Sequence, residues 1–331
     1  MNRIFIGFDG FIDTLLTCVQ RWEDRSSYLP FDSLSTFSSH LQNFSHKNAN
    51  IECITKHTSM GGNAPLLTLG LLEQSARVTL AGACGYPNIA QEFSSLDSEH
   101  CHTLSFCNPG QTDALEFSDA KVFMGKMNEL ATVSLDTLFK RIPGLHKIIS
   151  SSELIATLNW TMMPQLVEEF WQWLLQKKVL SKEQYLFVDL CDPAKRPQRE
   201  LQQALEYLAQ LASHTRVVIA LNLSESEQVS SALGCTSQNM QERSILIRQK
   251  LGAHSVFIHS TQQACASNSK ETESIEVALC QNPVRTTGAG DMFNAGLITA
   301  LLRGRSLLQQ LISAVSLSRS WVQTGKPISI F

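Results

Sequence analysis

Thr286-Thr287-Gly288-Ala289-Gly290-Asp291 runs directly into Met292-Phe293-Asn294-Ala295-Gly296. Two glycines flank an alanine, so the backbone can turn tightly and approach a ligand closely. Apolar Phe293, Leu297, Ala300 and Leu301 then recur at helical spacing, and Gly304 after Arg303 supplies a stop. The loop thus offers backbone N–H groups at a helix start, where the helix dipole favours negative charge. Asp291 falls in the first turn. A carboxylate beside an anion nest suits phosphoryl transfer to a hydroxyl, because the nest holds the charge in motion and the carboxylate accepts the proton. The same residues also fit an ordinary turn with Asp291 as its cap. The remainder of the chain has to separate these two readings.

Composition sets the outer limits. With 43% hydrophobic and 17% charged residues, the 331-residue chain buries a large core and is not disordered. A net charge of −3 without a long basic run argues against nucleic-acid or membrane-surface partners. The start, Met1 to Asp9, meets an acid too early for a signal peptide, and no apolar run reaches transmembrane length, so the expected location is cytoplasmic. The nine cysteines include no Cys-x-x-Cys pair and read as reduced, mostly buried thiols. His100-Cys101-His102 is a poor metal site, since neighbours in a strand point to opposite faces.

Upstream of the loop, Arg3 to Phe8 is a buried-strand pattern ending in Asp9-Gly10, with Asp13 shortly after. Acids just past a first strand sit where open α/β sheets bind ligands, or they close a turn. Short strands are expected at Leu15–Val19 and Ile51–Ile54, around a helix from Asp32 to Phe44. Met60-Gly61-Gly62-Asn63-Ala64-Pro65 opens a buried helix, with Asn63 as cap. Its glycines could equally let backbone amides touch a polyol, with the Asn63 amide as donor and acceptor. A hairpin is expected about Ser118-Asp119-Ala120, and strands alternate with helices from Leu154 onward. That alternation implies a mostly parallel sheet with helices on both faces. Polar clusters follow three of the strands: the opening loop, Asp189 to Arg196, and Asn222 to Glu225. Each could be a helix cap, but together beside an anion nest they suit a magnesium-bound nucleotide. Trp160 reads as core packing or as a sugar-stacking platform. The first strand is followed by Gly7-Phe8-Asp9-Gly10 and not Gly-x-Gly-x-x-Gly, which argues against a dinucleotide-dependent oxidoreductase.

In this order the motifs resemble the PfkB carbohydrate kinase family, with its ribokinase-like fold, over nearly the whole length. The resemblance is carried by Arg285 to Phe293, by Asn222 to Glu225 for the family's Asn-x-x-Glu, by Gly61-Gly62-Asn63, by Asp13 and by Asp189. It implies a single three-layer α/β/α kinase domain over residues 1–331, with a small β-sheet lid from about 14–59 and 104–126. It implies Asp291 as the base and the amides of Gly288, Ala289 and Gly290 as the anion hole. Asp13, Gly61, Gly62, Asn63 and Glu116 would bind a sugar or nucleoside, with Phe11 and Lys126 among the lid side chains that set specificity. Asn222, Glu225, Asp189, Ser260 and Thr287 would serve the nucleotide, ATP, and Asn222 and Glu225 would organise Mg²⁺ through water. Lid pairing would make a homodimer. Two departures stand out. Arg285 replaces an acid that helps hold a monovalent cation in relatives, which puts potassium activation in question. His259 to Gln263 replaces a glycine-rich turn that lies against the nucleotide. Both departures motivate the alternative of a catalytically idle binding or regulatory protein on the same fold.

Overall fold

A computed structural model describes residues 3–330. Phe331 lies outside them, as do Met1 and Asn2, on which part of the signal-peptide reading rests. In chain order the first strands are β1 (Arg3–Phe8), β2 (Phe11–Trp22), β3 (Tyr28–Pro30), β4 (Cys53–Gly61), β5 (Arg77–Gly82), β6 (Cys101–Ser105), β7 (Gly110–Glu116) and β8 (Lys121–Lys126). After them come β9 (Leu154–Leu158), β10 (Tyr185–Asp189), β11 (Arg216–Asn222), β12 (Ser255–His259), β13 (Gln263–Asn268) and β14 (Thr272–Glu276). The α-helices among the described residues begin with α1 (Leu34–Gln42), α2 (Asn63–Glu73), α3 (Leu135–Arg141), α4 (Leu145–Ser151) and α5 (Pro164–Lys177). They continue with α6 (Gln198–Ala212), α7 (Leu223–Ala232), α8 (Met240–Leu251), α9 (Ala289–Leu302) and α10 (Leu307–Thr324).

Apolar runs such as β1 and β9, buried on both faces, place these strands inside a nine-stranded sheet of order β14-β13-β12-β11-β10-β9-β1-β5-β6. The strands from β12 to β6 along that order run parallel, and β13 and β14 close one edge antiparallel. Side chains alternate between two cores: Phe5 and Ile155 face α3 to α8, while Ile4, Ile6 and Ala156 face α2, α9 and α10. This is the three-layer α/β/α arrangement that alternation implied. Trp160 belongs to the first of these cores, and its Nε1 donates to Glu168, so it packs and does not stack on a ligand.

A second, smaller sheet is built from β2, β3, β4, β7 and β8. Its strands exceed the short segments expected from the sequence, since β2 covers all of residues 11–22. They carry many half-exposed polar residues, so hydrophobic periodicity marks only part of each. Leu104 and Ser105, expected here, belong instead to β6 at the edge of the main sheet. A separate cluster of Cys18, Phe31, Phe37, Leu115 and Phe117 fixes α1 to this sheet.

Candidate active site

Parallel strands bring their carboxyl ends to one edge of the sheet, and four neighbouring ends there carry polar groups. Asp9 follows β1, Asn159 follows β9, Asp189 ends β10, and Asn222 ends β11 beside His259 of β12. Asn159, Cys191 and Asp192 all hold left-handed backbone, with φ of 55°, 58° and 57°. Non-glycine residues tolerate this only where surroundings enforce it.

Asp9 is fully buried beside the start of α2. Its carboxylate accepts from the N–H groups of Asn63 (2.9 Å) and Ala64 (2.8 Å) and from Asn159 Nδ2 (2.7 Å). It therefore serves the first amides of α2 from a distant strand. This corrects the expectation that Asn63 caps the helix: the capping position is Gly62, and no local side chain bonds there. Relieved of that duty, Asn63 Nδ2 donates to Asp291 Oδ1 at 3.0 Å. Gly61 packs against the Asp13 carboxyl so closely that a Cβ would overlap it. Asp13, Gly61, Gly62, Asn63 and Asp291 are thus gathered at one place.

The loop does form a helix start, and Gly288, not Asp291, is the capping residue, with φ of 88°. The N–H of Ala289 is spent on Thr286 O (3.2 Å), whereas among the described residues no protein acceptor faces the amides of Gly288 and Gly290. The Thr287 carbonyl accepts from Trp321 Nε1 at 2.8 Å, which ties the loop to α10.

The electrostatics are dominated by crowded acids. Burial raises the pKa of Asp291 well above the carboxylate norm, the charges of Asp189 and Asp9 raise it further, and Asn63 opposes the shift. Asp189 is pushed up to about 7 by burial and then by the charge of Glu225, against hydrogen bonds from Asn294 Nδ2 (2.7 Å) and the Cys191 amide (3.0 Å). Glu225 is also raised by burial. Its two oxygens accept from the amides of Asn222 (2.8 Å) and Asp192 (2.9 Å), while Asn222 Oδ1 accepts from Glu225 N (2.9 Å). Asn222 and Glu225 therefore form a capping box at the start of α7. Among the described residues no group of three or more His, Cys, Asp or Glu is arranged to hold a metal ion. The fit to Mg²⁺ is of another kind: burial and mutual repulsion disfavour the charged forms of Asp189, Glu225 and Asp291, a penalty that a cation would offset, and the buried Asn294 Oδ1 lacks a donor. An ion that keeps most of its water and sits on substrate phosphates suits such a set.

On the other side of the loop lies a cavity of about 600 Å³, bordered by Asn222, His259, Ser260, Thr286, Gly290 and Arg319. Burial lowers the His259 pKa to about 4, so its ring is neutral at pH 7, and it lies 4.5 Å from the Phe293 ring. The glycine-free turn after β12 is closed by Ser260, whose Oγ accepts from Gln262 N (3.2 Å) and Gln263 N (3.0 Å).

Glu116 is not brought to this cluster. It lies toward the far end of β7, and Lys56 (3.2 Å) and Lys121 (2.9 Å) occupy its carboxylate. Lys126 pairs with Asp113 at 2.9 Å, and Phe11 is buried against Gly110. Asn159 and Asn294 are members of the site that sequence reasoning assigned no role, and Asp9 was read there only as an acid that binds a ligand or closes a turn. The only signal for Asp9 was its position directly after the first strand.

Comparison with known proteins bears on the whole chain. The family model for prokaryotic ketohexokinase matches residues 1–330. A ketohexokinase from Haloferax volcanii is 25% identical over 340 residues, spanning 98% of this chain and 88% of that protein. A carbohydrate kinase structure from Agrobacterium tumefaciens aligns with a TM-score of 0.68 at 13% identity, covering 99% of this chain and 93% of its own. A ribokinase from Thermotoga maritima aligns at 0.60 and 14%, covering 97% and 93%. At such identities the structural likeness establishes the fold, which is ribokinase-like.

Proposed function

Because the chain belongs to the prokaryotic ketohexokinase family and is a PfkB-type carbohydrate kinase, we propose that it transfers a phosphoryl group from ATP to a primary hydroxyl of a ketohexose. The observation that carries this reading is the Asn63–Asp291 hydrogen bond at the head of α9, between the Asp13–Gly61 side and the cavity of about 600 Å³. Asp291 accepts the hydroxyl proton, and its place in the first turn of α9 beside the Asn63 amide supports that role. Asn63 fixes its orientation. The amides of Gly288 and Gly290 meet the transferred phosphoryl as an anion hole. Asp13, Gly61, Gly62 and Asn63 hold the acceptor hydroxyls, and Ser260, Thr287, Asn222 and Arg319 border the nucleotide. Asp189, Glu225 and Asn222 would hold Mg²⁺ through water, and the ion would supply neutralisation of phosphate charge. The intact Asp291 and Asn63 favour an active enzyme over an idle binding protein. No helix among the described residues is long and apolar enough to cross a membrane, and we place the reaction in the cytoplasm.

The test is ADP release with Mg²⁺ and ATP against ketohexoses, aldohexoses, pentoses, sugar acids and nucleosides, alongside Asp291→Asn. Turnover should be greatest with a ketohexose and fall by about three orders of magnitude in the variant, within the range for loss of a general base. ADP release that no ketohexose stimulates, or a variant with near-normal turnover, would remove the proposal's basis.

A further inference from the structure

β2 and β4 of the small sheet run antiparallel, and their register sets Cys18 directly opposite Cys53. The next pair along, Val19 and Glu52, is joined by a backbone hydrogen bond from Val19 N to Glu52 O at 2.9 Å. Hydrogen-bonded and non-hydrogen-bonded pairs alternate along an antiparallel ladder, so Cys18 and Cys53 form a non-hydrogen-bonded pair. In such pairs the Cα atoms stand about 4.5 Å apart and the side chains come closest. That spacing falls within the range a disulfide spans without moving the backbone, about 4.4–6.8 Å. The two sulfur atoms are in contact at 3.8 Å, and both thiols are free.

The two thiols differ in access. Cys18 is buried with Phe31, Phe37, Leu115 and Phe117, in the cluster that fixes α1 to the sheet. Burial, and then the neighbouring Cys53, push its pKa up to about 12, so it is a protonated thiol at pH 7. Among the described residues Cys53 is the only exposed cysteine. An oxidant dissolved in water therefore meets Cys53 first, and the thiol that resolves the product is already against it. Exposure combined with a resolving partner is what distinguishes an oxidisable pair from an inert buried cysteine.

We propose that Cys18 and Cys53 are a redox modification site, oxidised by a hydroperoxide to an intrachain disulfide that closes the segment carrying β3 and α1. The Cys53 thiolate attacks the peroxide: an S–O bond forms, the O–O bond breaks, and alkoxide or hydroxide leaves and is protonated by solvent. The Cys18 sulfur then attacks the Cys53 sulfenic acid. The S–S bond forms, the S–O bond breaks, and hydroxide departs with the Cys18 proton as water. Two thiols are oxidised, and one hydroperoxide is reduced to an alcohol, or to water from hydrogen peroxide, with a second water formed. A dithiol reverses the change by exchange. The bond joins positions 35 apart. Closing a loop of that length restricts the unfolded chain and, in a chain of this size, raises the melting temperature by about 5 °C. This chemistry is independent of the sugar and the phosphoryl donor.

The experiment treats the purified full chain with hydrogen peroxide at neutral pH and compares it with Cys53→Ser and Cys18→Ala. Intact mass, differential alkylation with peptide mapping, non-reducing electrophoresis and calorimetry supply the readouts. The wild type should lose the mass of two hydrogens, yield one linked peptide pair carrying Cys18 and Cys53, and melt about 5 °C higher. Dithiothreitol should undo all three changes. Cys53→Ser should neither form the linked pair nor gain stability on treatment. Cys18→Ala should accumulate a sulfenic acid at Cys53, captured by dimedone. Should Cys18→Ala fail to fold because its cluster is disturbed, the exposed Cys53→Ser carries the comparison. A Cys53 sulfinic acid beside a free Cys18 thiol would overturn the proposal. So would a disulfide joining two copies of the chain, or a linked pair without any rise in melting temperature.

Discussion

Replacing Asp9 by alanine removes the acceptor that three buried donors share: the amides of Asn63 and Ala64 and Asn159 Nδ2. A buried donor left unpaired costs about 1–3 kcal/mol, so three set an upper bound of about 9 kcal/mol. Two effects reduce it. The carboxylate is itself buried at a cost, seen in its raised pKa, and that cost disappears with it. Water entering the vacated polar space can serve at least one of the donors. A net loss of about 3 kcal/mol remains. With an unfolding entropy of about 2.1 cal/mol/K per residue, the 331-residue chain has about 0.7 kcal/mol/K in total, so the melting temperature should fall by about 4–5 °C. Urea unfolding at pH 7 measures the free energy, and calorimetry measures the shift. Asp9→Asn, which keeps the volume and one acceptor but turns an NH₂ toward the donors, should fall between wild type and alanine. The first turn of α2 also carries Asn63, so sugar-dependent turnover should drop in both variants. A loss below about 1 kcal/mol for Asp9→Ala would show that α2 does not depend on this carboxylate.

Two further outcomes follow from the acids and from the small sheet. Asp189 is raised to about 7, against about 3.9 in an unfolded chain. Between those values the native state holds a proton that the unfolded chain has released. Its contribution to stability is therefore full below about pH 4 and lost as pH rises through about 7. Asp189→Asn should gain stability over wild type at pH 8 compared with pH 5, read from urea midpoints, and equal differences at both pH values would contradict this. Trp22, Leu29, Phe123 and Met124 are exposed apolar residues, and all lie on the small sheet, where the family resemblance implies, and we propose, that two copies pair. Phe123→Lys should then shift the chain toward monomer in sedimentation, and an unchanged mass would remove this sheet as the interface.

The motif Gly288 to Asp291 was legible because its chemistry is local. A helix start, an apolar stripe and a carboxylate one turn in are all encoded within fifteen residues, and the loop adopts the conformation its glycines allow. The Asn222–Glu225 box is local in the same way, with a spacing of three that closes reciprocal hydrogen bonds wherever the helix lies. Strand runs with both faces apolar likewise identify a covered parallel sheet before any contact is known. The β2 to β4 region was less readable because its strands are half-exposed and alternate imperfectly, so only pairing with one another defines their length.

The sequence by itself determined the sheet, its layers and the loop that carries Asp291, since these depend on periodicity and on short-range spacing. Tertiary structure alone decided which groups meet there. Asp9 reaches Asn63 across 54 positions and Asn159 across 150, and Asn63 reaches Asp291 across 228. No local pattern encodes such bonds. They exist because parallel strands deliver their carboxyl ends to one edge, where buried polar groups must find partners, and the burial that raises Asp291 and Asp189 arises from the same crowding.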